Sequence, residues 1–135
     1  METKFDITFQ GNKKVDAHFH DFTISADQPV STGGDNTAPT AFELFLASIG
    51  MCAGFHVLTF CQSRSIPTDN ISLTQTVVRH DKIPVVEKVT IDIHLPPDFP
   101  EQYKTEIVRV AQSCSVKKFL DAPPKIQIDA KISGD

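Results

Sequence analysis

The chain has 135 residues, 40% hydrophobic and 22% charged, with a net charge of −4 at pH 7. That composition belongs to one globular domain, residues 1–135, with a sizeable core, and it excludes a disordered chain. The 13 Lys and Arg residues are scattered, so no basic stripe offers a nucleic-acid surface.

Phe5, Ile7 and Phe9 alternate with polar residues and predict a first strand. Gly11-Asn12 is a turn signal, after which Val15, Ala17 and Phe19 continue the period of two. Phe22-Thr-Ile-Ser25 predicts a short third strand, completing an antiparallel meander. Residues 28–39 form a polar loop punctuated by Gly and Pro. Gly33-Gly34 lies outside any phosphate-loop context and reads as a flexible rim.

Thr40-Ala-Phe-Glu43 fits a capping box and opens a helix that runs to about Ser63 or Arg64, before Pro67. The run from Ala41 to Cys61 is long enough to raise the question of a membrane span. Glu43 and His56 interrupt it and strand-like segments surround it, so a buried central helix is expected and no membrane. A helix apolar on all sides wants more cover than one sheet face provides, which suggests a partner subunit.

Strand patterns follow at residues 71–77 and 89–95, separated by His80-Asp-Lys-Ile-Pro84. Pro96-Pro-Asp-Phe-Pro100 opens a second helix with an apolar stripe of Tyr103, Ile107, Val110 and Cys114. Ile126, Ile128, Ala130 and Ile132 predict a closing strand. The order βββ-α-ββ-α-β, with hairpins in place of helical crossovers, predicts an α+β fold with antiparallel strands.

Three cysteines without a CxxC make neither a secreted disulfide framework nor a common zinc signature. The N-terminus lacks a basic region followed by an apolar one, so a reducing, cytoplasmic setting is expected. Cys52 in the central helix, with Cys114 far downstream, is the arrangement a two-cysteine redox enzyme needs. To act as a nucleophile Cys52 must be a thiolate, yet burial raises a thiol pKa. The helix N-terminus is too distant to offset that, so a cation from another segment or subunit is expected.

The other candidates have plainer readings. Cys61, nine residues beyond Cys52, lies about 180° around the helix and reads as a core thiol. Glu43, nine residues before Cys52, is about 13 Å away along the helix and out of phase, which leaves it the capping role. His56 is one turn beyond Cys52 on the same face, placed to share a proton or to pack. His18 and His20 share a strand face, but without a third ligand no metal centre is expected.

Ala38-Pro-Thr-Ala-Phe-Glu-Leu-Phe-Leu-Ala-Ser-Ile-Gly-Met-Cys52 resembles the signature G-P-N-P-x-E-L-L-L-A-A-L-G-x-C of the OsmC/Ohr family. These are the osmotically inducible and organic-hydroperoxide-resistance proteins. Cys114-Ser-Val116 is similar to that family's second-cysteine motif, C-[PS]-V, and the order of elements matches along nearly the whole chain. No arginine precedes Arg64, whereas peroxidase members carry one in the N-terminal meander; the pattern looks closest to the uncharacterised YhfA-like branch.

The resemblance implies an intertwined homodimer without a cofactor, in which Cys52 reduces organic, fatty-acid-type hydroperoxides and Cys114 resolves the product. A dithiol reductant would complete the cycle. It implies a role for Glu43 beside the catalytic cysteines, and Phe42, Phe45, Phe55 and His56 are expected to wall an apolar substrate pocket. The alternative expectation is a non-catalytic dimer of the same fold that binds a small apolar or thiol-reactive ligand.

Overall fold

A computed structural model describes residues 1–134. The chain divides into two compact units, one ending at Ser48 and the other beginning at Ile49. The fold is mixed α+β with antiparallel strands, as the order of periodicities predicts.

The first unit holds the meander: β1 (Asp6–Phe9), β2 (Val15–Phe19) and β3 (Phe22–Ala26), in the order β1-β2-β3. Gly11, at φ 99°, and Asn12, at φ 46°, turn β1 into β2 with the positive φ that a tight hairpin requires. Register places Ile7, Ala17 and Ile24 in one cross-strand row and Phe9, Val15 and Ala26 in another. Phe5, Phe19 and Phe22 join them through ring contacts of 4.6 and 5.8 Å. Yet Phe5, Ile7, Phe9, Phe22 and Ile24 are all exposed.

His20 takes φ 52° in the two-residue turn between β2 and β3, so it does not share a strand face with His18. Both ring nitrogens of His18 are engaged across the sheet, by Thr8 at 2.9 Å and Thr23 at 3.1 Å.

The loop after β3 is tied down and does not form the loose rim expected. Asp27 is buried, and its carboxylate accepts the Thr37 hydroxyl at 2.7 Å, the Thr37 N–H at 3.0 Å and the Gln28 N–H at 2.8 Å. Those donors, led by the Thr37 hydroxyl, hold its pKa down to about 2. Lys14 pairs with Asp35 in the same loop.

Helix α1 (Ala41–Ser63) begins at the expected capping box: Thr40 N–H donates to Glu43 Oε1 at 3.0 Å, and Glu43 N–H to Thr40 Oγ1 at 3.1 Å. The helix is not enclosed within one copy of the chain. Leu46, Ala53, Val57, Phe60 and Cys61 are buried, whereas Phe42, Phe45, Met51, Phe55 and Leu58 are exposed. A small domain has too few elements to surround a helix that is apolar on every side.

In the second unit, β4 (Ser72–Arg79) and β5 (Val86–His94) form a hairpin with a register shift at Val78/Arg79. Val57, Phe60, Cys61 and Ile107 form the core, with Leu73, Ile93 and Tyr103 packed against them. Cys61 is therefore the core thiol its helical phase predicts.

The second expected helix is two helices, α2 (Lys104–Ala111) and α3 (Ser115–Asp121). The expected closing strand does not form. Residues 123–132 have no regular structure, and Ile126, Ile128 and Ile132 are 76%, 91% and 78% exposed. Alternation marks a strand only where a neighbouring ladder can accept it, and within one chain this segment joins neither sheet.

Candidate functional site

Cys52 lies midway along α1, and Cys114 lies at the break between α2 and α3. The stripe from Tyr103 was expected to carry Cys114 on a continuous helix, but Cys114 takes extended angles, φ −56° and ψ 133°, as the N-cap of α3. Flanking Ser113 and Ser115 favour such an interruption, because serine competes for backbone hydrogen bonds and prefers helix ends.

The break determines what Cys52 meets. The Cys114 thiol and the backbone N–H groups of Val116 and Ser115 lie close enough to the Cys52 sulfur to favour its thiolate. Within this chain the groups that act on Cys52 are neutral; no cation from another segment of it is among them. The influence of Cys114 first, then of the two amides, outweighs partial burial and lowers the Cys52 pKa below the ordinary thiol range. Cys114 moves the other way, because burial and the Cys52 neighbour both hold its proton in place. Of the two thiols, Cys52 ionises first. Burial raises the Cys61 pKa, which leaves that thiol inert.

The Cys114 sulfur also approaches the Ile49 carbonyl at 4.0 Å, anchoring the break against α1. All three cysteines are free. Cys52 is half-buried and Cys114 only 2% exposed.

A cavity of about 370 Å³ opens beside this pair. Ile49 and Ala53 of α1 and Val89 and Ile91 of β5 contribute apolar walls, and Cys114 is part of its lining. Val108 and Leu120 extend the apolar surface, while Gln112 and Lys117 are its polar side chains. Sequence reasoning missed this cavity, although the i,i+4 pair Ile49/Ala53 and the i,i+2 pair Val89/Ile91 each mark a shared face.

The residues expected to wall a pocket lie elsewhere in the single chain. Phe42 and Phe45 stack at 6.0 Å and are exposed, and the exposed Phe55 packs on His56 at 5.6 Å. None of the four lines the cavity beside Cys114. His56 instead lines a separate groove with Thr59, Ser63 and Arg64; there Arg64 lies 3.8 Å over the Phe60 ring and 3.4 Å from Glu106. The Glu43 carboxylate serves the helix start. Among the described residues, no group of three His, Cys, Asp or Glu side chains is arranged to hold a metal.

The family model for OsmC-like protein matches residues 33–129, a span that contains both cysteines and the break between α2 and α3. The chain belongs to the OsmC-like protein family. No curated protein sequence matches it. Among solved structures, this OsmC-like chain is similar to one from Psychrobacter arcticus 273-4 assigned to osmotic stress and the detoxification response. The two share 21% identity over 87% of this chain and 88% of the other, with a TM-score of 0.73. An OsmC-like protein from Mycoplasma pneumoniae shares 18% identity, covers 91% of each chain and has a TM-score of 0.64. A Legionella pneumophila protein called an organic hydroperoxide resistance protein OsmC shares 15% identity, with 90% of each chain covered and a TM-score of 0.57. These likenesses carry the fold.

Proposed function

We propose that this OsmC-like protein is a thiol peroxidase that reduces organic hydroperoxides through Cys52 and Cys114. The approach of the Cys114 thiol to the Cys52 sulfur, which favours the Cys52 thiolate, carries the reading. It supplies the two requirements of the chemistry, an ionised nucleophile and a second sulfur within reach. The Cys52 thiolate attacks a peroxide oxygen, the O–O bond breaks, and the alkoxide takes up a proton and leaves as the alcohol. The resulting Cys52 sulfenic acid is attacked by the Cys114 sulfur, which expels water and forms a disulfide. Two electrons from a dithiol then restore both thiols.

A greasy hydroperoxide suits Cys52 better than hydrogen peroxide does, because the exposed neighbours Met51 and Phe55 offer an apolar approach. The protein works as a homodimer. The bare meander face, the exposed half of α1 and the exposed isoleucines 126, 128 and 132 are more apolar surface than a monomer keeps in water. The apolar stretch of α1 has a mean hydropathy of 1.9, and a second copy covers it in place of a bilayer. A cycle that returns through free thiols suits a reducing, cytoplasmic setting. Without an arginine before Arg64, it sits nearest the YhfA-like branch of the family.

Turnover of cumene hydroperoxide with a dithiol tests the reading. Cys52→Ser removes turnover, and Cys61→Ala leaves it in place. Equal turnover by Cys52→Ser and the parent would leave a non-catalytic, ligand-binding dimer and contradict the proposal.

A further inference from the structure

His56, Thr59 and Ser63 recur on one face of α1, between its buried side at Val57 and Phe60 and its exposed side at Phe55 and Leu58. With Arg64 just past the helix end, they wall one side of a groove of about 350 Å³. Glu106 and Val110 of α2, and Ser113 in the turn after it, wall the other side. We infer that this groove binds a small organic monocarboxylate, with Arg64 as the anchor of its carboxylate group. The inference stands apart from the two-cysteine reading, because neither Cys52 nor Cys114 takes part.

A groove takes up an anion when it has free donors and a positive balance of charge. Arg64 and Arg109 face a single carboxylate, Glu106, each at 3.4 Å, so the three groups carry one net positive charge. That contact is longer than a close guanidinium–carboxylate bond, and Glu106 divides it between two cations. Arg64 donates to Ser63 Oγ at 3.0 Å and to Glu106, which leaves further N–H groups of the guanidinium free. Among the described residues, neither the His56 ring nor the Ser113 hydroxyl has a hydrogen-bond partner. The backbone acceptors that would repel an anion are occupied. The His56 carbonyl accepts the Thr59 hydroxyl at 3.1 Å, and the Phe60 carbonyl accepts the Ser63 hydroxyl at 2.8 Å. The Cys61 carbonyl accepts the N–H groups of Arg64 and Ile66 at 3.1 and 2.9 Å.

The anchor is also held in place before any ligand arrives. The Arg64 guanidinium lies 3.8 Å over the Phe60 ring and 5.2 Å from the Tyr103 ring, which fixes its plane and reduces the ordering cost of binding. A carboxylate matches the edge of that plane through a pair of parallel N–H···O bonds. One net positive charge suits a monoanion better than a phosphate dianion. Phe60 and Val110 give a short hydrocarbon body an apolar surface to cover.

Titration of the reduced, ¹⁵N-labelled protein with hexanoate, followed by NMR, tests the inference. Hexanoate should give saturable shifts in the amides of Thr59, Ser63 and Ser113 and in the Arg64 Nε–H signal. Hexan-1-ol and inorganic phosphate should bind at least about tenfold more weakly, the first for want of a charge and the second for want of an apolar body. Arg64→Gln should weaken hexanoate by about tenfold, the scale of a charge-assisted hydrogen bond. Glu106→Gln removes the competing carboxylate and should tighten binding several-fold, which a purely packing role for Arg64 would not produce. Thr59 is exposed, so Thr59→Phe should fill the groove and block binding with Arg64 intact. Cys52→Ser should bind hexanoate as the parent does, so a failure of the peroxidase reading and a failure of this inference are separable. No saturable shift at the groove, an affinity unmoved by both Arg64→Gln and Glu106→Gln, or equal binding of hexan-1-ol or phosphate would each overturn the inference.

Discussion

The thiol of Cys114 lies against the sulfur of Cys52 and favours its anion, while burial and the Cys52 neighbour disfavour ionisation of Cys114, so the pair's proton stays on Cys114. Cys114→Ala removes the largest influence lowering the Cys52 pKa, and that pKa rises. Alkylation of Cys52 by iodoacetamide at pH 7 should slow by about tenfold, the scale of a hydrogen bond to a charged group. Cys114→Ser retains a donor and should recover part of the rate. Because only the thiolate reacts, the rate climbs with pH through the Cys52 pKa, and the climb should begin at lower pH in the parent than in Cys114→Ala.

Asp27 makes the loop after β3 sensitive to acid. Its pKa falls from 3.8 to about 2 on folding, so its contribution is complete above 3.8 and is lost as pH drops through about 2. Cleavage of the loop by a protease active in acid should therefore rise across that interval. Asp27→Asn, which cannot carry the charge, should be cut readily at every pH and show no such rise.

Two glycines separate backbone from side-chain crowding. A Cβ on Gly34 would lie 2.0 Å from the Gln28 carbonyl oxygen, a backbone atom that the loop holds in place. Gly34→Ala should cost about 1–3 kcal/mol and lower Tm by several degrees. A Cβ on Gly50 would meet Gln75 Oε1 at 2.6 Å, the far end of a flexible side chain. Gly50→Ala should be the milder change in the same thermal melt.

The meander, the capping box at Thr40 and Glu43, the β4–β5 hairpin and the core position of Cys61 follow from periodicity and spacing, because each depends on neighbours close in sequence. The break at Cys114 does not. The stripe Tyr103, Ile107, Val110 continues in phase to Cys114, and only Ser113 and Ser115 hint that the helix stops. The expectation of a cation at Cys52 rests on burial and on the distance to the helix N-terminus; the groups that act on it within this chain are the Cys114 thiol and two backbone N–H groups, which no residue type announces. Ile126, Ile128 and Ile132 show the converse failure, a strand pattern without a ladder in its own chain.

The exposed rows on β1–β3 lead to the dimer. Sedimentation equilibrium should return a mass near twice 14.9 kDa. Ile24→Lys, at an exposed position in one of those rows, should shift the population toward monomer. A parent protein that sediments as a monomer at micromolar concentration would remove the dimer from the proposal.

The most direct measurement adds one equivalent of cumene hydroperoxide to the reduced protein and maps its three cysteines by mass spectrometry. The proposal predicts loss of two thiols, one peptide pair joined through Cys52 and Cys114, and Cys61 still free for alkylation after denaturation. Three intact thiols, or oxidation that leaves Cys52 and Cys114 unlinked, would contradict it.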